Sequence, residues 1–184
     1  MIKRGVKSYQ QWILGIGVTV VIIAIIKLGF FVLFDNALFD VISEAGNVSG
    51  WKEDALRDIT ALGSNTALIF VTISVAGALA MAGEKKKALT FLIAVAVGIA
   101  TTFLLKAGID RPRPPLPMQD VSVYTQSFPS AHATLSTLVY FYIAYLLTYF
   151  TQNASVKVWI YMAATFLVFC IGLSRILLGV HWPS

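Results

Sequence analysis

Apolar runs long enough to cross a lipid bilayer recur along this chain, and that feature leaves very few architectures open. In the hydrocarbon core no water satisfies a backbone N–H or C=O, so a crossing segment must be a helix or a strand of a closed barrel. Five runs near or above the threshold of about 18 residues occupy Trp12–Phe34, Leu62–Ala82, Ala88–Leu105, Ala131–Phe150 and Val158–Leu178. At about 1.5 Å per residue even the third run reaches across most of a hydrocarbon core, which fits helices and not barrel strands. The expected fold is all-α, a polytopic transmembrane bundle forming one domain over residues 1–184. The amino-acid content agrees, with 58% hydrophobic residues, 12% charged and a mean hydropathy of +0.79, outside the range of soluble globular domains.

Lys3, Arg4 and Lys7 precede the first run as they would in a secretory signal, but that run is about 23 residues and no A-x-A site follows. It reads as the first membrane anchor. Cys170 is the one cysteine of the chain and lies inside the fifth run, so no disulfide framework or cysteine metal site arises, and the residue reads as a small buried hydrophobe.

With a cytoplasmic N-terminus, the inner segments hold Lys3, Arg4, Lys7, Lys85, Lys86, Lys87 and Lys157, against Lys52, Arg57, Lys106, Arg111, Arg113 and Arg175 outside. Seven against six decides little, although the compact "EKKK" at 84–87 favours inside for its loop. The contrast sharpens only if Lys106, Arg113 and Arg175 serve a site. Counting crossings gives a firmer result. Lys106 emerges on the face from which the helix starting near Ala131 departs, and the fifth helix returns to that face at Arg175 to His181.

Three polar clusters therefore meet on one side. In "PSAH" (129–132), Pro129 stops a helix from entering from the loop and Ser130 is a favoured N-cap. A helix starts there with the N–H groups of Ala131 and His132 pointing outward, and its positive dipole end suits an anion. His132 could give a proton to a leaving group, or the cluster is an ordinary capped helix with an interfacial histidine. In "KAGIDRPRPPLP" the prolines hold residues 111–117 extended and restrict where the guanidiniums can go. Arginine forks suit phosphate oxygens, but charge alone does not say whether Arg111 or Arg113 points inward, and a snorkelling lysine with a solvated basic loop is the bland alternative. In "SRILLGVHWPS" an arginine ends a membrane helix, where ionisable groups call for a partner or a function. Ser174 and His181, seven apart, share a helical face if the helix continues, while Gly179 and Pro183 give it reasons to break first. Trp182 supports an interfacial anchor.

Three cations, two histidines and a helix N-terminus together make a receptor for a phosphate ester or diphosphate, with one histidine to attack phosphorus and the other to protonate the leaving oxygen. Asp110 and Asp120 stand alone, so no carboxylate cluster for Mg²⁺ accompanies them, and the expected reaction is metal-independent with no cofactor.

These residues resemble the tripartite signature of the type 2 phosphatidic acid phosphatase superfamily, the membrane lipid phosphate phosphatases. Lys106, six residues, then Arg113-Pro114; Pro129-Ser130-x-His132; and Ser174-Arg175, five residues, then His181 match in order and spacing over residues 106–181. The resemblance implies a phosphohistidine mechanism, with His181 the nucleophile, His132 the general acid, and Lys106, Arg113, Ser130, Ala131 and Arg175 around the phosphate. The family's second motif usually has glycine where this chain has Ala131, a change that keeps the backbone N–H. Its third motif normally closes with an aspartate four residues after the histidine, whereas Ser184 ends this chain three after it. The resemblance thus implies a truncated chain, a sixth helix beyond it, and a nucleophile without its orienting carboxylate.

By the same resemblance the partners are the bilayer and a lipid phosphate, with no nucleic acid. Substrates implied are phosphatidate, phosphatidylglycerol phosphate or a polyprenyl diphosphate, at the extracytoplasmic face of a bacterial cell membrane. A non-catalytic phospholipid-binding or transport protein on the same site is the rival in another class, and a vanadate-dependent haloperoxidase is excluded by the apolar chain. Residues 106–130 read as the active-site loop. Residues 35–61 read as an extracytoplasmic amphipathic segment, with Leu38, Val41, Ile42 and Ala45 on one stripe and Trp51, Leu56 and Ile59 on another, or as plain connecting structure. Lys27 reads as a snorkelling side chain, and Tyr140, Tyr142, Tyr145 and Tyr149, which keep no single face, as packing and belt residues.

Overall fold

The helices begin where a short polar side chain can receive the first orphan N–H groups. In the computed structural model, which describes residues 32–44, 50–114 and 126–183, the side-chain oxygens of Ser64, Ser130 and Asn153 accept from Ala67 N–H at 3.2 Å, Ala133 N–H at 3.4 Å and Ser155 N–H at 2.9 Å. Lys3, Arg4, Lys7, Lys27 and the first apolar run up to residue 31 lie outside the described residues.

Two compact units divide the chain, residues 1–45 with 183–184, and residues 46–182. The described helix of the first is α1, Val32–Glu44. Its buried positions are Asp35 and Phe39, one turn apart, while Val41 is exposed.

The second unit contains α2 (Trp51–Ala61), α3 (Asn65–Met81), α4 (Lys85–Ile109), α5 (Ala131–Leu147, prolonged by a 3₁₀ turn at Thr148–Phe150) and α6 (Ala154–Leu177). α5 packs on both α4 and α6, α3 packs on α4 and α5, and α2 lies against α6. Where α4 meets α5 the backbones approach closely. A methyl at Gly98 would fall 2.8 Å from Leu138 Cδ1, so the glycine admits the neighbouring side chain. Leu68, Ala76, Phe91, Val95, Leu135 and Val139 form the core between α3, α4 and α5. Within this apolar setting Thr72 and Thr102 return their hydroxyls to the carbonyls of Leu68 and Gly98, 2.6 and 2.8 Å away, so no buried donor is left unpaired there.

Three helices, α4, α5 with its 3₁₀ turn, and α6, are each long and apolar enough to cross a membrane. The outward faces leave Phe70, Phe103, Leu104, Trp159, Phe166 and Phe169 more than half exposed, as a lipid-facing surface requires. This is an integral membrane protein. The second expected run, Leu62–Ala82, contains α3, Asn65–Met81, and begins in the turn before it. α3 has 17 residues and qualifies only together with α2, from which it is bent by 40°. The turn at 62–64 and the Ser64 cap end one helix and start the other. Three to four membrane spans are thus described, against five expected, the first expected run being outside the described residues. α4 also runs a turn past Leu105, so Lys106 is helical rather than the first residue of a loop. Cys170, expected buried, is half-buried.

Candidate active site

Lys106 lies in the last turn of α4, 4% exposed, and its Nζ donates to the Gln126 carbonyl at 2.5 Å. Asp110 ends that helix with φ 52°, a left-handed conformation that aspartate tolerates because its short side chain bonds locally. Its Oδ1 accepts from Gln126 Nε2 at 3.1 Å, and Ser127 N–H donates to the Arg111 carbonyl at 2.8 Å. The chain that leaves at 110 thus returns at 126 beside its starting point. Gln126 C=O also accepts from Arg113 Nη2 at 3.4 Å, so one carbonyl gathers both cations of the first motif.

Arg113 points inward. Its Nη1 donates to the Val180 carbonyl and lies 3.4 Å from His181 Nε2. Arg111 turns the other way and sits over the Trp182 ring at 5.8 Å, while Trp182 Nε1 donates to the Pro112 carbonyl at 2.9 Å. The tryptophan expected at the lipid interface therefore ties the third motif to the first.

The end of α6 explains how His181 reaches this place. The helix stops at Leu177, and Gly179 takes φ +66°, a conformation that costs other residues about 1–2 kcal/mol. Val180 N–H then bonds the Arg175 carbonyl at 3.2 Å and Gly179 N–H the Ile176 carbonyl at 2.9 Å, the paired pattern of a Schellman turn. His181 N–H also reaches back to the Arg175 carbonyl, at 3.3 Å. Ser174 and His181 are consequently not two points on one continuing helical face. The Ser174 hydroxyl donates to the Ile171 carbonyl at 2.7 Å, a partner within its own helix.

His181 is 5% exposed. Burial, then the charges of Arg113, Arg175 and Lys106, push its imidazole down to about 3 from an ordinary 6.5, against a smaller upward pull from a backbone hydrogen bond at Ser127. The ring is neutral at every physiological pH. When Nε2 receives the Arg113 donor its lone pair lies on that side and the proton on the buried Nδ1. Burial also lowers Arg113, which remains a cation.

Ser130 caps α5, and the first-turn amides of Ala131 and His132 precede any carbonyl that could receive them within the helix. His132 is within electrostatic reach of Arg175, Arg113 and Lys106. Arg175, 7% exposed in the last turn of α6, donates from Nη1 to Thr60 Oγ1 at 3.2 Å, and its Nε has no partner among the described residues. Every expected site residue thus falls at one end of α4, α5 and α6. Thr60, Gln126 and the Val180 carbonyl also belong to it. The sequence holds no signal for the last two, because they act through backbone oxygens that any residue supplies.

A helical membrane protein with a cluster of cations and two histidines at one end is the class these features define. The chain belongs to the PAP2 superfamily, whose family model matches residues 87–184. It is 28% identical over 136 residues to phosphatidylglycerophosphatase B of Bacillus subtilis, covering 73% of this chain and 66% of that protein. It is 35% identical over 118 residues to decaprenylphosphoryl-5-phosphoribose phosphatase of Mycolicibacterium smegmatis, covering 62% and 59%. The chain thus spans less than two thirds of the length of these curated relatives. Among solved structures, a transmembrane PAP2-type phosphatidylglycerolphosphate phosphatase from Bacillus subtilis superposes with a TM-score of 0.70 at 25% identity, over 86% of this chain and 84% of that one. LpxE of Aquifex aeolicus gives a TM-score of 0.57 at 23% identity over 80% and 82%, a likeness of fold alone.

Proposed function

We propose that this protein is a membrane lipid phosphatase that removes the terminal phosphate from phosphatidate, phosphatidylglycerol phosphate or a polyprenyl diphosphate through a phosphohistidine. The observation that carries the reading is the approach of Arg113 Nη1 to His181 Nε2, 3.4 Å apart, in a pocket where burial and then three cations keep the histidine neutral. A phosphate seated there has its oxygens among Lys106, Arg113, Arg175 and the amides of Ala131 and His132, beside the Ser130 hydroxyl. With Arg113 Nη1 turned from Nε2 to a phosphate oxygen, the phosphorus faces an unprotonated ring nitrogen.

In the first step Nε2 of His181 forms a bond to phosphorus as the bond to the lipid oxygen breaks, and His132 gives that oxygen its proton. In the second, His132 takes a proton from water, the water oxygen bonds to phosphorus, and the P–N bond breaks to release inorganic phosphate. Fixed cations and amides neutralise the charge in both steps, so the reaction is proposed to need no metal. The lipid nature of the substrate is supported by an apolar cavity of about 190 Å³ between α3, α4 and α5, lined by Leu68, Ile69, Val95, Ile99, Phe103 and Leu135. Ala131 of the phosphate site is part of its wall. The names of the two curated relatives, a phosphatidylglycerophosphatase and a prenyl-linked phosphoribose phosphatase, fit the same class. We further propose that residues 1–184 act as one domain and that the site faces outward from a bacterial cell membrane.

Phosphate release in detergent, with EDTA present, from a short-chain phosphatidate and a polyprenyl diphosphate tests the reading. Release is expected to persist in EDTA and to fall by at least about 10³-fold in His181→Ala, since the covalent route is then lost. The faster substrate identifies the lipid class. If a folded protein binds these lipids but releases no phosphate, a binding or transport role replaces the phosphatase.

A further inference from the structure

The turn between α2 and α3 reaches the phosphate site from a direction that no sequence motif marks. Thr60, in the last turn of α2, presents Oγ1 to Arg175 Nη1 at 3.2 Å. Three residues on, Gly63 is buried so tightly that a methyl there would lie 2.5 Å from Ile171 Cγ2 and 3.5 Å from His132 Cδ2. The turn is itself fixed. Gly63 N–H donates to the Thr60 carbonyl at 3.0 Å, Ser64 N–H to the Ala61 carbonyl at 3.0 Å, and the Tyr140 hydroxyl of α5 to the Leu62 carbonyl at 2.8 Å.

Arg175 has several rotatable bonds, five donors and a place where water is scarce, so its direction depends on what receives those donors. Among the described residues Nε has no partner, and the Thr60 hydroxyl is the side-chain acceptor its guanidinium meets. A threonine hydroxyl can receive this donor without neutralising the cation, which a carboxylate in its place would do. The charge stays available to an anion while the direction of the guanidinium is set.

We propose that Thr60 is a positioning residue for Arg175, and that the α2–α3 turn is in this way a wall of the phosphate site. The inference rests on reading Arg175 as a phosphate ligand. It gives α2 a part in substrate binding that its amphipathic sequence, taken as interfacial packing, does not supply.

The test compares Thr60→Val, which keeps the shape and removes the hydroxyl, with Thr60→Ser, which keeps the hydroxyl. Binding of inorganic phosphate to the protein in detergent is followed by ³¹P line broadening, with melting temperature and lipid hydrolysis measured alongside. Thr60→Val is expected to bind phosphate roughly 5- to 10-fold more weakly at an unchanged melting temperature, within the range for losing one ordinary hydrogen bond. Thr60→Ser is expected to stay within about twofold of wild type. In an Arg175→Lys background Thr60→Val should add no further loss, because both changes remove the same interaction. Wild-type affinity in Thr60→Val, or a fully additive loss in the double variant, overturns the proposal. If valine disturbs the turn, Thr60→Ala with the serine control gives the same comparison. A protein that binds phosphate in this pattern yet hydrolyses no lipid refutes the phosphatase reading and leaves Thr60 its role. A wild-type protein that binds no phosphate overturns both.

Discussion

A histidine that attacks phosphorus must offer an unprotonated nitrogen, and the surroundings of His181 provide for that. Burial and the cations Arg113, Arg175 and Lys106 hold its pKa down to about 3, below the 6.5 of an exposed imidazole. Between those two values the unfolded chain binds more protons than the folded one. The neutral ring's contribution to stability is therefore complete above about pH 6.5 and is lost progressively as the pH falls toward 3. Only two histidines occur in the sequence, so the ¹⁵N resonances of His181 are assigned by their loss in His181→Asn. They are expected to keep neutral-imidazole shifts from about pH 8 to about pH 5, and a midpoint near 6.5 would contradict the electrostatic account. At this scale the sequence was legible where a charged or titratable side chain interrupts apolar surroundings, because such a residue needs a reason to be there. Lys106, His132, Arg175 and His181 stand out in that way. Thr60 and Gly63 do not, since a threonine and a glycine in a connecting turn have many ordinary uses. Arg111 and Arg113 were separable only through the family spacing, because charge is the same at both and the direction of each is set by Val180 and Trp182, far along the chain.

Among the elements, the end of α6 sets the position of the proposed nucleophile. The Schellman turn folds Val180 and His181 back over the last helical turn, and it requires φ +66° at Gly179. Gly179→Ala imposes a left-handed alanine at a cost of about 1–2 kcal/mol, which for a chain of this size lowers the melting temperature by roughly 2–8 °C. The same change moves His181, mounted two residues later, so kcat is expected to fall by more than the stability loss accounts for. Gly179→Asn, whose side chain tolerates the left-handed region, should recover most of both. Equal kcat in the alanine variant and wild type would show that the turn does not aim the histidine. Helix existence was plain from the apolar runs, and the ends were not. α4 starts on the three lysines before its run and continues past Leu105, since polar residues at the interface extend a helix without changing its hydropathy. The second run, Leu62–Ala82, contains α3, and the difference lies at its start, where the Ser64 cap and a 40° bend separate α3 from the polar α2 and an apolar count does not register a cap.

For the molecule as a whole, orientation decides which leaflet supplies the substrate, and the structure changes the weight of the charges that determine it. Lysines 85 to 87 and Lys157 lie at the starts of α4 and α6, the end opposite the phosphate site. All three lysines at 85–87 are exposed or nearly so. At the site end, Lys106 and Arg175 are buried at 4% and 7% exposure, and Arg113 is engaged by the Val180 and Gln126 carbonyls. Those three are held by the site and do not act as free charges against translocation. Of the rest, Arg57 is paired with Glu53 at 2.7 Å and Arg111 lies on Trp182, while Lys52 is exposed. Lys87 is likewise paired with Glu84 at 3.1 Å, which leaves Lys85, Lys86 and Lys157 at the far end against Lys52 at the site end among the described residues, and on that difference we propose that the far end is cytoplasmic. After Cys170→Ser removes the native thiol, a membrane-impermeant maleimide added to intact bacteria is expected to label Lys52→Cys at once. Lys86→Cys should react only after the cells are permeabilised. The reverse pattern would put the phosphate site in the cytoplasm, so that lipid phosphates of the inner leaflet, where such molecules would be made, become the substrates and not those carried outward.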